Sequence, residues 1–546
     1  MDSSSLPSAT ASEKNSYADP RVVGTGEESL FSKSMMIAWL LAGAAALLQM
    51  LTNGRYGYFR DELYFLACGD HLALGYVDFA PLAALLTRVS RMMLGDSLHA
   101  IRFLPALAQG GEIVLTGLIA REFGGKRFAI FLACVSVLMA PVILNNATRL
   151  SMNPFEPLFW MGCVYFLLRA INADQPKMLV WCGVMLGLGL ENKHSTAFFF
   201  VSLFAGLLVT TARRLIFTKW FWIAAAIALV IFLPNLLWQV QNHFPTLEAL
   251  RNVKATHKNV ELAPMAFFRQ QVMMLNRASV LVWMAGLGFL LFGGRTKAWR
   301  ALGITYLVFL GIMMALKGKD YYLAPIYPML YAAGGVFWET LTEARTGLRW
   351  VRAALPAVVI LVGAIAVPLV VPVLPVEKIV PYMEALGIKM SRTEVQDHGP
   401  LLQHFGDEFG WPEMVSEVAK VYKALPPEQR AKTGILAGTY GDAGAIDFFG
   451  PDMGLPKSIS GHQNYYLWGP REYTGESLIF LHYDLEDVQR WCQSVRVGPK
   501  LDPYYGMGEE HYTILVCNGL KKPLAESMAT VQSVELTVLE RTAKLA

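Results

Sequence analysis

The chain has 546 residues, of which 54% are hydrophobic and 16% charged, and its formal net charge is +4. A soluble protein of this length needs a more charged surface, so the composition indicates a polytopic membrane protein. The net charge is too small to suggest that the chain binds nucleic acid.

The apolar segments predict how often the chain crosses the membrane. Residues 1–33 are rich in Ser, Glu and Gly, which predicts a disordered cytoplasmic tail. A crossing helix needs about 20 apolar residues, and with that window we count about eleven segments within a transmembrane domain at 34–375. The segments are 35–53, 101–120, 128–147, 154–170, 178–191, 195–211, 220–240, 279–293, 301–316, 321–340 and 353–374.

Lysines and arginines predict the orientation of these segments. If the N-terminus is cytoplasmic, every inner loop is basic, as the positive-inside rule requires. Residues 54–100 then lie on the outer side of the membrane, and residues 376–546 form an extracytoplasmic domain. The sequence therefore predicts a multi-pass protein of the plasma (inner) membrane.

A polar group follows the first apolar segment directly. The stretch "YGYFRDELYFLACGDH" at residues 56–71 contains Arg60, Asp61 and Glu62 in aromatic surroundings. Its apolar spacing predicts a short interfacial helix, and the helix dipole favours carboxylates in the first turn. The acidic pair is either a functional site or a helix N-terminal charge pair that Arg60 neutralises.

Further cations are predicted on the outer side. From Leu82 the apolar residues follow a helical stripe, with Arg88 and Arg91 on the opposite face, which predicts a second interfacial helix. Lys317 and Lys319 stand at the mouth of a later span. Anionic lipid or a phosphate ligand would explain cations at these positions.

The hydropathy falls after the last apolar segment, and the pattern predicts an α/β domain over residues 376–546. The stretches "TGILAGTY", "SLIFLHYD" and "HYTILVCN" predict strands, with Asp442 capping a helix after the first. The stretch "SGHQNYYLWGPREY" at 460–473 predicts an aromatic loop that covers a cavity, contacts a ligand or rests on the bilayer. Cys492 and Cys517 are candidates for a disulfide, although spacing alone does not establish it.

Three motifs, in this order along the chain, resemble membrane glycosyltransferases of the GT-C class. The nearest branch is that of the protein O-mannosyltransferases and lipid A aminoarabinose transferases. The motifs are the Asp61–Glu62 pair followed by "GYVDFAPL" (75–82), "ENKHSTAFFF" (191–200) and "KGKDYYLAPIYPML" (317–330). The resemblance implies a GT-C fold with interfacial helices in the first outer loop.

The motifs depart from the family pattern at three places. Members often have Asp-His-Pro-Pro where this chain has "DFAP" from Asp78. His194 replaces the usual tyrosine, and Glu156 stands where an aspartate is common. These differences concern the identity of the substrate more than the type of reaction.

The resemblance implies inverting transfer of a sugar from a polyprenyl-phosphate donor to an acceptor hydroxyl on the outer face of the membrane. Asp61 matches the family's catalytic acid and would take the proton of the hydroxyl as general base, with Glu62 as support or reserve. Cations would stabilise the departing lipid phosphate. The candidate substrate-binding residues are Arg60, Asp78, Arg88, Arg91, Glu156, Lys193, His194, Lys317, Lys319, Tyr321 and Tyr322.

Plainer interpretations of these residues stay open. Lys317 and Lys319 also fit the pattern of lysines at a helix end whose ammonium groups extend to the membrane surface. Tyr321 and Tyr322 also fit an aromatic belt at the membrane interface. No recognisable set of metal ligands is present, although Asp61 and Asp78 are candidates to share a divalent cation. The acceptor is a lipid, a glycan or a protein, and the donor sugar stays open.

The main alternative function is secondary transport, and a third is lipid binding without catalysis. Transporters place ionisable groups at the bilayer midplane and often have two related halves. Here the charges gather at one surface, and the sequence shows no clear internal repeat. Convergence of Asp61, Glu156, Lys193 and Lys317 on one outward cavity would favour an enzyme.

Overall fold

The computed structural model describes residues 32–255, 260–293, 297–388 and 399–530. The tail predicted for residues 1–33 therefore lies almost wholly outside the described residues.

The first part of the described chain is built from α-helices. They are α1 (Met36–Thr52), α2 (Arg60–Asp70), α3 (Leu82–Leu94), α4 (Leu98–Ile101), α5 (Phe103–Glu122), α6 (Arg127–Leu138), α7 (Pro141–Ala147), α8 (Glu156–Asn172), α9 (Leu179–Asn192), α10 (Thr196–Leu208), α11 (Lys219–Gln241), α12 (Pro245–Ala255), α13 (Pro264–Met274), α14 (Val280–Phe292), α15 (Arg300–Ala315), α16 (Tyr327–Ala344) and α17 (Val351–Ala366). A 3-10 helix, Asp320–Ile326, leads into α16.

Each predicted apolar segment overlaps one of these helices, but eleven crossings are not confirmed. By length and hydropathy, four helical stretches of the described residues can cross a membrane, or six if two bent pairs are each one crossing. The difference arises because apolar helices such as α1 and α10, with 17 and 13 residues, are short for a span.

The two bent pairs bring polar side chains inward from apolar helices. Helices α6 and α7 are bent by 63° at the break before Pro141. Helix α13 and the stretch Arg277–Phe292 are bent by 107°, around Asn276 with a φ of 81°. The broken backbone places Asn145 and Arg277 at one cavity between the helices.

Helix α3 confirms the prediction of a helix from Leu82. Its small residues face the protein, with Ala83 and Ala84 buried, while Leu85, Val89 and Met93 are exposed. An exposed apolar stripe on a short helix is typical of a helix that lies in the membrane interface.

The C-terminal part contains a small mixed sheet with helices around it. Its helices and strands are α18 (Ile379–Ala385), α19 (Gln403–Gly406), α20 (Trp411–Lys423), α21 (Pro427–Arg430), β1 (Thr433–Ala437), α22 (Tyr440–Phe449), β2 (Ile459–Ser460), α23 (Asn464–Trp468), β3 (Ser477–Leu481), α24 (Leu485–Trp491), β4 (Cys492–Lys500), β5 (Thr513–Leu520) and α25 (Leu524–Thr530). Within the described residues the strand order is β2-β1-β3-β5-β4. Strand β1 is parallel to β2 and β3, whereas β5 is antiparallel to β3 and β4.

The three predicted strands are β1, β3 and β5, and the candidate disulfide joins Cys492 to Cys517 between β4 and β5. Strands β2 and β4 were not predicted, because β2 has two residues and β4 is mostly exposed and polar. The cap of α22 is Thr439 rather than Asp442: the Thr439 hydroxyl accepts a hydrogen bond from the Asp442 amide.

The aromatic stretch at 460–473, which was predicted to be a loop, is partly helical. It contains α23, and Asn464 and Tyr465 are buried. The Asn464 amide nitrogen donates to the Tyr64 hydroxyl at 2.8 Å, and its oxygen accepts from the Val77 amide at 3.1 Å. The stretch packs against residues 54–100 because Asn464 satisfies the backbone N–H of Val77 and the hydroxyl of Tyr64.

Helix α22 packs directly across α2, and two glycines of α22 permit the close approach. A Cβ at Gly441 would lie 2.5 Å from Cγ of Arg60, and one at Gly444 would lie 2.8 Å from the backbone of Leu63. Larger residues at these positions would push the helices apart. The contact brings Tyr440 against the first turn of α2.

Candidate active site

The first turn of α2 points its two carboxylates in different directions. The helix begins after Phe59, whose backbone N–H donates to Oε2 of Glu62 at 2.9 Å. Glu62 therefore turns back towards the helix start, as the third residue of a capping box does. Asp61 points away from this turn, and its side chain is 37% exposed.

Asp61 opens onto a cavity of about 590 Å³. Its Oδ1 accepts a hydrogen bond of 2.7 Å from the Tyr440 hydroxyl, which comes from the C-terminal part. The nearest cation, Nε of Arg60, lies 3.9 Å from the same oxygen, so this ion pair is loose. The carboxylate is held in position and still faces the cavity.

Four cations and three acids line the same cavity. Burial raises the pKa of Asp320, which favours the neutral form of one of those acids. The charged lining residues are Arg60, Asp61, Arg149, Arg277, Lys319, Asp320 and Asp407. The cavity can therefore accept an anion beside the Asp61 carboxylate.

Arg60 is fixed by acids of the C-terminal part. Its Nη1 donates to Oε1 of Glu509 at 2.6 Å and lies 3.8 Å from Oδ1 of Asp407. Burial alone would lower the pKa of Arg60, but Asp407, Glu509 and Asp61 outweigh burial and raise it. The open alternative in which Arg60 pairs mainly with Asp61 is thus not what the geometry shows.

Arg149 contributes a second guanidinium to the cavity wall. Its Nη2 donates to Oδ1 of Asn145 and to the Thr148 hydroxyl, both at 3.0 Å, and its Cζ lies 4.6 Å from the ring centre of Phe59. The carboxylate of Glu408 is 4.0 Å away. Burial lowers the pKa of Arg149. A buried guanidinium with so distant a counter-ion is well suited to bind an anion.

Lys193 and Glu156 lie behind the cavity wall. Nζ of Lys193 donates to Oε2 of Glu156 at 3.0 Å and to Oδ1 of Asn153, a lining residue, at 2.9 Å. The same ammonium lies 4.5 Å from the ring centre of Tyr322. The Ser195 hydroxyl donates to the other oxygen of Glu156. The buried pair is therefore one residue removed from the cavity.

Some residues of the motif at 317–330 lie at the cavity, and others lie at the surface. Lys319 and Tyr321 line the cavity, whereas Lys317 is 58% exposed and pairs with Glu261. Of the four residues predicted to converge on one cavity, Asp61 lines it, whereas Lys193 contacts the lining residue Asn153 and Glu156 is bound to Lys193. Lys317 does not line the cavity.

The other candidates lie outside the lining of this cavity. Arg88 and Arg91 bind Asp70 at 3.0 and 2.8 Å on the exposed side of α2 and α3. His194 contacts Asn235 at 3.2 Å, and burial lowers the pKa of the imidazole. Their roles in substrate binding stay predictions without support from this geometry.

Asp78 is also separated from Asp61. Its Oδ1 accepts a hydrogen bond of 3.0 Å from the Tyr64 hydroxyl. The Tyr64 ring stacks on Tyr440 with ring centres 4.7 Å apart, and Tyr440 in turn binds Asp61. Since two aromatic rings stand between the carboxylates, the arrangement does not support a shared cation.

Both carboxylate oxygens of Glu62 accept hydrogen bonds within the protein. It is fully buried, and Nε and Nη2 of Arg102 donate to its two oxygens at 2.8 and 2.6 Å. The Leu150 amide donates to Oε1 at 2.8 Å. Glu62 thus supports the site by fixing the chain around α2, while the contacts give no support to a role as reserve base.

Sequence reasoning did not find four residues of the lining or its support. They are Arg277, which lies just before the predicted apolar segment 279–293, and Tyr440, His404 and Asp407 of the C-terminal part. Their distance along the chain leaves no spacing pattern that connects them to Asp61.

Two comparisons with known proteins give matches. The model of the dolichyl-phosphate-mannose-protein mannosyltransferase family matches residues 78–238. ArnT from Cupriavidus metallidurans, solved bound to undecaprenyl phosphate, has a TM-score of 0.57 at 14% identity over 88% of this chain and 97% of that chain. Its apo structure gives the same values. No curated protein matches the chain in sequence.

A weaker likeness is to the archaeal oligosaccharyltransferase AglB from Archaeoglobus fulgidus, in complex with an inhibitory peptide and a dolichol-phosphate. Its TM-score is 0.44 at 14% identity, over 75% of this chain and 63% of that chain. That score is too low to carry an argument. The family match over residues 78–238 and the likeness in fold to ArnT confirm the resemblance to GT-C membrane glycosyltransferases that was inferred from the motifs.

Proposed function

We propose that the protein transfers a sugar from a polyprenyl-phosphate donor to an acceptor hydroxyl at the outer surface of the plasma membrane. The observation that carries the proposal is the cavity in which Asp61 faces Arg149, Arg277 and Lys319. A carboxylate that can take a proton and cations that can hold a phosphate are the two requirements of this reaction.

The reaction proceeds by direct displacement, which inverts the anomeric carbon. The acceptor oxygen bonds to that carbon, the bond to the phosphate oxygen breaks, and Asp61 takes the hydroxyl proton. The leaving lipid phosphate is a stable anion that needs no general acid. Arg149, Arg277 and Lys319 stabilise the charge that develops on it, which is the largest contribution to rate in many enzymes.

An apolar wall of the same cavity fits a lipid-linked donor. Val362 and Ile365 of α17, with Leu369 after it, line the cavity together with the polar residues. A prenyl chain can lie along such a wall while its phosphate meets the cations. The undecaprenyl phosphate bound to ArnT of the same fold supports a donor of this chemical class.

Uncharged polar side chains of the cavity lining are suited to hydrogen-bond a sugar. Asn145, Asn146, Ser151 and Asn153 line the cavity between α7 and α8. Amides and hydroxyls donate and accept, as sugar hydroxyls require. We assign this side to the donor sugar, whose identity depends on contacts that fold likeness does not define.

The proposal is tested with the purified full-length protein in detergent and a panel of polyprenyl-phosphate sugars. Release of lipid phosphate is followed with and without lipid, glycan and peptide acceptors. We expect acceptor-dependent release from one donor and the opposite anomeric configuration in the product. Tight donor binding without release, with every acceptor tried, would contradict the proposal and favour the lipid-binding alternative. Solute counterflow in liposomes would favour the transporter.

A further inference from the structure

Three side chains of metal-ligand type meet inside the C-terminal part. Asp442 lies in the first turn of α22, His482 directly follows β3, and Glu510 ends a 3-10 turn before β5. Their ligand atoms all lie within 4.8 Å of one another. Asp442 is fully buried, and His482 and Glu510 are 7% and 6% exposed.

The cluster holds two buried carboxyl groups close together. Burial, the charge of Asp442 and the charge of Glu509 raise the pKa of Glu510 far above its ordinary value. Asp442 accepts from the Tyr512 hydroxyl at 2.9 Å and from the Thr439 hydroxyl at 2.7 Å. These hydroxyls orient Asp442, but they bring no positive charge to the carboxyl pair.

Two atoms of the cluster lack hydrogen bonds to any described residue. They are Oε1 of Glu510 and Nδ1 of His482, although the latter lies 3.3 Å from Oδ2 of Asp442. A buried polar atom without a partner destabilises the folded state. An ion pair between His482 and Asp442 would account for the histidine, but it leaves Glu510 unexplained.

We propose that Asp442, His482 and Glu510 bind a divalent cation of the zinc type. One imidazole and two carboxylates are ligands that Zn²⁺ accepts at about 2.0–2.2 Å, and the imidazole disfavours Mg²⁺ and Ca²⁺. Ligand atoms within 4.8 Å of one another can contract onto one ion by small side-chain movements. The Thr439 and Tyr512 hydroxyls then act as the outer contacts that orient a ligating carboxylate.

The ion would join three chain segments, two of which hold the first turn of α2. Tyr440, two residues before Asp442, donates to Asp61, and Glu509, next to Glu510, binds Arg60. None of the three ligands lines the cavity. The three ligands are therefore positioning residues, and the site is separate from the proposed transfer chemistry.

The test measures zinc in the purified full-length protein by elemental analysis, after chelator treatment and again after zinc is restored. We expect about one zinc per chain in the restored protein. In Glu510→Gln and His482→Ala the zinc affinity should fall at least about tenfold. His511→Ala is the matched control, because His511 is 30% exposed, pairs with Asp502 and adjoins the site without joining it. It should retain zinc.

Glu510→Gln keeps the inference testable if His482→Ala does not fold, since it preserves side-chain volume and removes only the charge. Zinc should raise the unfolding temperature of the wild-type protein and leave that of Glu510→Gln unchanged. Restored wild-type protein with less than about one tenth of an equivalent of zinc would overturn the inference. Equal zinc affinity in the wild type and Glu510→Gln would also overturn it. Both readouts are independent of sugar transfer.

Discussion

Asp61 and Glu62 are consecutive residues in the first turn of α2, but their surroundings differ. The Asp61 side chain is 37% exposed, faces the cavity and has one short contact, from Tyr440. Glu62 is fully buried and accepts hydrogen bonds from Phe59, Arg102 and Leu150. An open carboxylate can take a proton from a substrate, whereas a carboxylate whose oxygens are occupied holds the fold together.

The difference comes from distant parts of the chain. Arg102 and Leu150 approach α2 on the Glu62 side, and Tyr440 approaches it on the Asp61 side. Substitutions on the Glu62 side of α2 should therefore change stability, and substitutions on the Asp61 side should change activity. The first four predictions run from the largest expected change in free energy to the smallest.

Substitution of Glu62 should cause the largest loss of stability. Glu62→Gln leaves the buried guanidinium of Arg102 with a neutral partner, which should lower the free energy of unfolding by about 3–5 kcal/mol. Thermal unfolding in detergent measures the change. The control is Glu343→Gln, because its partner Lys126 is 71% exposed, and a surface pair contributes at most about 1 kcal/mol. Equal unfolding temperatures for the two variants would contradict a structural role of Glu62.

The pH dependence of stability should reveal the titration of a second buried carboxyl group, that of Glu408. Burial raises the pKa of Glu408 from 4.5 to about 7, despite the opposing effects of Arg102 and Arg149. Between these values the unfolded carboxyl is ionised and the folded one keeps its proton. Stability should therefore fall by about 3 kcal/mol as the pH rises through this window.

The measurement compares the unfolding temperatures of the wild type and Glu408→Gln at several pH values. The glutamine does not titrate, so the wild type should lose stability relative to the variant between about pH 4.5 and 7. A constant difference between the two proteins over this range would show that Glu408 does not titrate there.

Arg149, which lines the cavity with Asp61, should affect activity rather than folding. Arg149→Met keeps the contact with the Phe59 ring and removes the charge, so the rate of transfer should fall about 100-fold. Arg490→Met is the control, since Arg490 is 55% exposed and lies outside the cavity lining. Unfolding temperatures measured alongside separate loss of charge from loss of fold. Equal transfer rates for the two variants would remove Arg149 from the phosphate site.

The contact between Tyr440 and Asp61 should have the smallest of these effects. Tyr440→Phe keeps the ring stacked on Tyr64 and deletes one hydrogen bond to a carboxylate, so the transfer rate should fall about tenfold. The donor KM should not change, because the hydroxyl orients Asp61 only. In the control Tyr473→Phe, the lost hydroxyl donates to the Lys457 carbonyl, and transfer should be unaffected. A changed KM with an unchanged kcat would contradict the orienting role.

The helices of the outer loop could be predicted from the sequence, because their signals are local. The acidic first turn of α2 and the apolar stripe of α3 each depend on residues within a few turns. Strands β1, β3 and β5 were predicted for the same reason, as short apolar runs. Strand β4, exposed and polar, lacked such a signal.

The site could be predicted only where one motif supplies the residue. Arg60, Asp61, Lys319 and Tyr321 were found in this way, and all four line the cavity. The partners that decide between an open and a closed carboxylate come from far along the chain: Arg102 lies 40 residues from Glu62, and Tyr440 lies 379 residues from Asp61. One sequence contains no signal for such pairings.

The central claim is that Asp61 takes the acceptor proton, and Asp61→Asn tests it most directly. Asparagine keeps the shape and can still accept from Tyr440, so the unfolding temperature and donor binding should match the wild type. The account predicts that the transfer rate falls about a thousandfold, while Asp70→Asn, an exposed aspartate at the other end of α2, transfers normally. Transfer by Asp61→Asn at the wild-type rate would contradict the account.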